Sequence, residues 1–107
     1  MIARIWHGWT TPENADAYQQ IVSEQVLPDI AARRLAGYHG AYLLRREVGS
    51  EVEFSTVMLF DSIEHVRAFV GADYETAHVP PQARAVLARF DTRSAHYDTL
   101  LTPDMTR

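Results

Sequence analysis

Two histidines and a tyrosine hold most of the chemistry this sequence can offer. His7 lies in an alternating stretch, residues 2–9, and shares a strand face with Ala3, Ile5 and Trp9. A neutral imidazole in an apolar pocket can take the proton of a phenol or hydroquinone, and the anion so formed can pass an electron to dioxygen. The plainer alternative is a core histidine satisfied by a backbone carbonyl. Tyr74 and His78 stand four apart, so they share a face if that turn is helical. Together they would bracket a bound aromatic, one by a hydrogen bond and the other by stacking or metal ligation. The plainer role for His78 is to cap carbonyls at a helix end. Trp9, Phe54, Met58, Phe60 and Phe69 are candidates for the wall of such a pocket, although aromatic stripes more often form ordinary core.

Much other chemistry is excluded by composition. There is no cysteine, which removes disulfides, thiolate nucleophiles, iron–sulfur clusters and thiolate zinc sites. All ten cations are arginine, so no lysine is available for a Schiff base or a phosphate loop. His39, His65 and His96 complete the five histidines, and no pair has the i, i+4 or H-x-H spacing of a readable metal site. No bound metal is expected. Arg84 and Arg89 can anchor an anion, but solvated salt bridges are their ordinary use. Neither a Ser-His-Asp order nor a glycine-rich phosphate loop is present. The net charge of −4 disfavours nucleic acid and anionic membranes as partners. No apolar run approaches the ~20 residues of a membrane span, and the N-terminus lacks a signal-peptide profile, so a cytoplasmic protein is expected.

The elements that must position these residues follow from periodicity. With 107 residues there is room for one domain, read as 1–101 with a frayed tail over 102–107. Residues 2–9 form a strand with Ile2, Arg4, Trp6 and Gly8 on its second face. Thr11-Pro12-Glu13 opens a helix whose stripe is Ala15, Tyr18, Val22, Val26 and Ile30. Pro28 predicts an end or kink near Leu27, and Gly37 closes the segment. Residues 38–48 and 51–60 are strands joined by Gly49-Ser50, which suits a type II′ hairpin. Asp61 or Ser62 caps a second helix through Val70. A helical turn is expected over 74–78, a short helix from Pro80-Pro81 through Leu87, and a last strand over 94–101. Two helices beside an antiparallel sheet give an α+β, ferredoxin-like βαββαβ fold. Yet both faces of the strands carry large apolar groups. A partner is therefore expected on the second face, simplest as a homodimer meeting through the face of Ile2 and Trp6.

The opening Ile2-Ala3-Arg4-Ile5-Trp6-His7-Gly8 and the hairpin end Met58-Leu59-Phe60-Asp61 resemble the antibiotic-biosynthesis-monooxygenase (ABM) family of dimeric α+β barrel proteins. The helix that follows, and the turn Asp73-Tyr74-Glu75-Thr76-Ala77-His78, match as well, so the resemblance spans residues 1–101. It implies two sheets packed face to face in a homodimer, with an apolar pocket between each sheet and its own helices. It also turns the His7 face toward that pocket. The activity it implies is a cofactor-independent monooxygenase acting on a planar phenolic, hydroquinone or polyketide-like molecule, with His7, Tyr74 and His78 as catalytic residues. Tyr74 matches a tyrosine of the quinone-forming branch, whose tryptophan and asparagine are here Ala68 and Glu64. His78 matches the haem ligand of the haem-degrading branch, whose tryptophan and asparagine are here Ala68 and His7. Haem binding or breakdown is thus an alternative, and a non-catalytic dimer holding a small hydrophobic metabolite is another.

Overall fold

Alternating Ile2–Thr10 forms β1, the centre of an antiparallel sheet, in a computed structural model that describes residues Met1–Arg107. Tyr38–Val48 (β2) and Glu51–Phe60 (β3) form the hairpin, and Gly49 has φ +61° while Ser50 does not take positive φ, as a type II′ turn requires. The strand order is β2-β3-β1, with Arg89–Phe90 (β4) and Ala95–Asp98 (β5) sharing the far edge of β1. β4 pairs with Gly8 and Trp9, and β5 with residues 2–5. This is the ferredoxin-like α+β order expected. The last strand spans Ala95–Asp98, shorter than the expected 94–101, and β4 at Arg89–Phe90 is too short to show an alternation.

The first helix runs as α1 (Pro12–Ile21), a π-turn (Val22–Val26) and α2 (Leu27–Ala32). Pro28 has no N–H for the Glu24 carbonyl, and the wider turn instead lets the Leu27 N–H reach Val22 O. The turn also keeps the stripe aligned. At about 100° per residue an α-helix would carry Ile30 about 120° away from Tyr18, and one extra residue removes most of that drift. The predicted end or kink is therefore a π-turn in a helix that continues. Arg34 takes the left-handed position after it, φ 51°.

Ile63–Val70 (α3) starts at Ser62, whose hydroxyl accepts from the His65 N–H. Gly37 has φ 75°, and a Cβ there would meet the His65 ring at 2.5 Å, so no side chain fits. Pro81–Arg84 (α4) is a single turn, shorter than expected, and Pro103–Thr106 (α5) gives a helical turn where a frayed tail was expected. No helix is long and apolar enough to cross a membrane.

Two further expectations differ from the structure. Residues 74–78 are not a helical turn: Thr76 bridges Arg93, Ala77 N–H donates to Thr92 O, and Ser94 N–H donates to Glu75 O. A long-range strand-like pairing has overridden local spacing. The face assignment of β1 is also reversed. Ile2, Arg4, Trp6 and Gly8 face the helices, where Ala15, Tyr18, Val22, Val52, Phe54 and Ala83 form one core cluster. Ile30, Met58, Phe60 and Val66 form the other. Ala3, Ile5, His7 and Trp9 lie on the face that no helix covers. Period two separates the faces of a strand but does not say which one the helices take, and here both carry isoleucine and tryptophan.

Candidate ligand-binding cleft

Between the covered sheet face and the helices runs a cleft of about 120 Å³, opening into a mouth of about 580 Å³. Cleft and mouth together fall in the ~300–1,000 Å³ range of small-molecule sites. Its walls are built by three elements. The sheet contributes Arg4, Trp6, Thr56 and Met58, because positions two apart on β1 and β3 point the same way. The long helix contributes its stripe, from Tyr18 through Val22 and Val26 to Ile30. The segment 77–80, held against residues 92–94 by the bridge described above, closes the third side with His78 and Val79. Pro80-Pro81 keeps this segment from joining α4. The lining is chiefly hydrocarbon, and burial alone pushes the Tyr18 phenol well above its usual range.

The polar groups in this apolar setting are few. Arg4 is 5% exposed. One guanidinium nitrogen, Nη1, donates to Tyr74 O and lies 2.9 Å from His96 Nε2. His96 is the cross-strand partner of Arg4 on β5. Burial, then the neighbouring Arg4 charge, hold the His96 imidazole below its usual range, with Glu75 opposing them. It is therefore a neutral acceptor, with Nε2 unprotonated toward the guanidinium. Ser94 and Thr56 are the hydroxyl-bearing residues of its lining. His78 is exposed at the mouth and makes no hydrogen bond within the protein. Asp29, Arg33, Gln82 and Arg84 rim the mouth beside it.

Of the residues singled out by sequence, the structure brings Met58, Phe69 and His78 to the cleft. Phe54 and Phe60 are wholly buried, in the core clusters beneath it. Tyr74 stacks edge-on to His96, 5.1 Å between ring centres, under the Arg67 guanidinium, and offers the Arg4 site its carbonyl and not its hydroxyl. His7 and Trp9 do not reach the cleft. On the uncovered face the His7 Nδ1 sits 2.8 Å from Asp91 Oδ2, which also accepts from the His7 backbone N–H. Asp91 thereby fastens β1 to the start of the 91–94 break. Trp9 lies under the Arg89 guanidinium, 4.0 Å from its ring centre. No three His, Asp or Glu side chains gather as a metal would need. Sequence reasoning missed Arg4, Trp6, Thr56 and Ser94. The signal for Arg4 was available: a charged residue alternating in step with Ile2 and Trp6, where a strand facing a core has no ordinary use for one.

No family model and no curated protein matches the sequence. Solved structures do. A Bacillus cereus protein described as a candidate antibiotic biosynthesis monooxygenase superposes with a TM-score of 0.61 at 11% identity, covering 94% of this chain and 92% of that one. The heme-degrader MhuD from Mycobacterium tuberculosis, solved with two hemes in its active site, superposes at 0.57 and 20% identity, covering 95% and 98%. At these identities the likeness establishes the shared fold.

Proposed function

We propose that this chain, which has the fold of the antibiotic-biosynthesis-monooxygenase proteins, is a cofactor-independent monooxygenase that oxidises a planar phenolic molecule in the cleft between sheet and helices. The observation that carries the reading is an apolar cleft with one unpartnered imidazole, His78, at its mouth. His78 takes the phenolic proton as general base, the role that the sequence alone suggests for His7. The substrate anion then supplies the electrons for dioxygen. One oxygen atom ends in the new carbonyl of a quinone, and the other leaves as water with the two hydrogens the substrate gives up. The walls exclude solvent and orient the ring.

Haem, which one structural neighbour holds, is the alternative: the cleft of about 120 Å³ and its mouth of about 580 Å³ form one open space, and His78 is the imidazole there that would hold the iron. The second reading, a non-catalytic binder of a small hydrophobic metabolite, is favoured by the absence of His7 from the cleft. Oxygen uptake with a panel of hydroxynaphthalenes, anthrones and hydroquinones, metals chelated, separates the two. Turnover that falls ~10²–10⁴-fold in His78→Ala supports the oxygenase. Micromolar binding without oxygen consumption supports the binder.

The same reading includes a homodimer, now through the uncovered face. Tyr42 and Leu44 on β2, Val57 and Leu59 on β3, Ile5 on β1 and Tyr97 on β5 lie side by side there, and Tyr42, Leu44 and Tyr97 are more than half exposed. A contiguous apolar face of this kind is what an interface covers.

A further inference from the structure

Arg4 is a buried charge without a counter-charge. It forms none of the ion pairs of this molecule, and Glu75, the acid that acts on its neighbour His96, is tied to Arg93 at 2.9 Å. A guanidinium cannot shed its proton to escape burial, as a lysine or histidine can, so its charge must be met by something. Within the protein it is met only by two neutral acceptors, Tyr74 O and His96 Nε2, and both are served by Nη1. The Nε and Nη2 hydrogens have no acceptor in the protein. They are not sealed off either: the fully occluded side-chain polar atoms left without a partner are the hydroxyls of Thr10 and Thr99. Arg4 lines the cleft, which is the space available to that edge. The Nε–Nη2 edge carries two parallel N–H bonds, the geometry that grips both oxygens of a carboxylate.

We infer that the cleft takes an aromatic carboxylate, gripped at its carboxylate by the Nε–Nη2 edge of Arg4, with its apolar ring between Trp6, Met58 and the Val22–Ile30 stripe. This rests on the reading that the cleft is the ligand site, and it names the substrate class. Thr56 and Ser94 add hydroxyl donors in the same wall. The arginine is then what the site needs and the fold does not. Bound anion would offset a charge that the empty protein carries uncompensated.

The test compares 2-naphthoic acid with 2-naphthamide, which differ in charge and hardly in shape, by calorimetry at pH 7.5. Wild type should bind the acid about tenfold or more tightly than the amide, as expected for a charge-assisted pair in an apolar site. Arg4→Gln should lose that preference while keeping affinity for the amide, and Arg4→Lys should restore part of it. Far-UV circular dichroism checks that each variant is folded, and Arg4→Met provides a second neutral variant. Equal binding of acid and amide by wild type overturns the inference and leaves the cleft reading standing. A preference that survives in Arg4→Gln and Arg4→Met also overturns it, and points to Arg33 and Arg84 at the mouth. If neither compound binds, both the inference and the cleft reading fail.

Discussion

The two faces of one sheet carry similar residues and have opposite fates. On the covered face Phe54 and Phe60 are wholly buried, Met58 nearly so, and the helices close over them. On the other face Ile5, Val57 and Leu59 are only half buried by their neighbours, and Tyr42 and Leu44 stand in water. Each face also holds one tryptophan and one conspicuous polar group. Trp6 donates its indole N–H to Asp91 O and borders the cleft, while Trp9 lies under Arg89 at the rim. Arg4 is buried without an acid, whereas His7 is half exposed and held by Asp91. What separates the faces is enclosure. A charged group becomes informative where water cannot solvate it, and the imidazole that looked more chemical is the one already satisfied.

The largest contrast should appear on truncation. Phe60→Ala on the covered face should cost about 3–5 kcal/mol in urea unfolding, because the cavity left under the helices cannot collapse. Leu44→Ala on the open face should shift a monomer by less than about 0.5 kcal/mol. A larger loss at Leu44, growing with protein concentration, would show that the face is buried by a second copy.

Next in size is the effect on assembly. Val57→Asp sets a carboxylate in the middle of the open face and should convert a dimer to a species of 12.1 kDa in light scattering, with binding in the cleft retained. Wild type that already scatters as 12.1 kDa would remove the dimer from the account.

A smaller effect, unusual in sign, is expected at the arginine. Arg4→Met exchanges an uncompensated buried charge for an apolar chain of similar length, so the ligand-free Tm should hold or rise. A fall of several degrees would mean that the bonds to Tyr74 O and His96 outweigh the cost of burying the charge.

The smallest effect is a pH dependence. Because the His96 pKa is depressed in the folded state, the unfolded chain binds the proton first as pH falls. Stability linked to His96 is therefore fully present above its unfolded value of about 6.5 and is lost as pH drops below it. The groups around this ring are Arg4, Glu75 and the Tyr74 ring. The slope of Tm between pH 7.5 and 5.5 should flatten in His96→Gln. Glu53 and Asp61, held low by Arg46 and His39, act only in the more acidic carboxylate range.

The strands, the hairpin turn and the helix stripe were legible because each depends on local periodicity or on one residue such as Gly49. The site was legible only in part. Met58, Phe69 and His78 reach the cleft, but Tyr74 does not present its hydroxyl there, since the 74–78 segment is fixed by pairing with residues 92–94, far away in sequence. His7 was placed on the wrong side because two amphipathic faces of equal apolarity give no local reason to prefer either. Arg4 was readable as a breach of its strand's pattern, yet its meaning needed the distances: two neutral acceptors, one nitrogen used, and no acid in reach.

The central claim, that ligand enters on the helix side of the sheet, is tested most directly by the two indole N–H signals in a nitrogen–proton NMR spectrum. One tryptophan lies on each face. On titration with 2-naphthoate the Trp6 signal should move progressively while the Trp9 signal stays in place. Movement of Trp9 with Trp6 unchanged would put the ligand on the open face, beside His7, and would contradict the account.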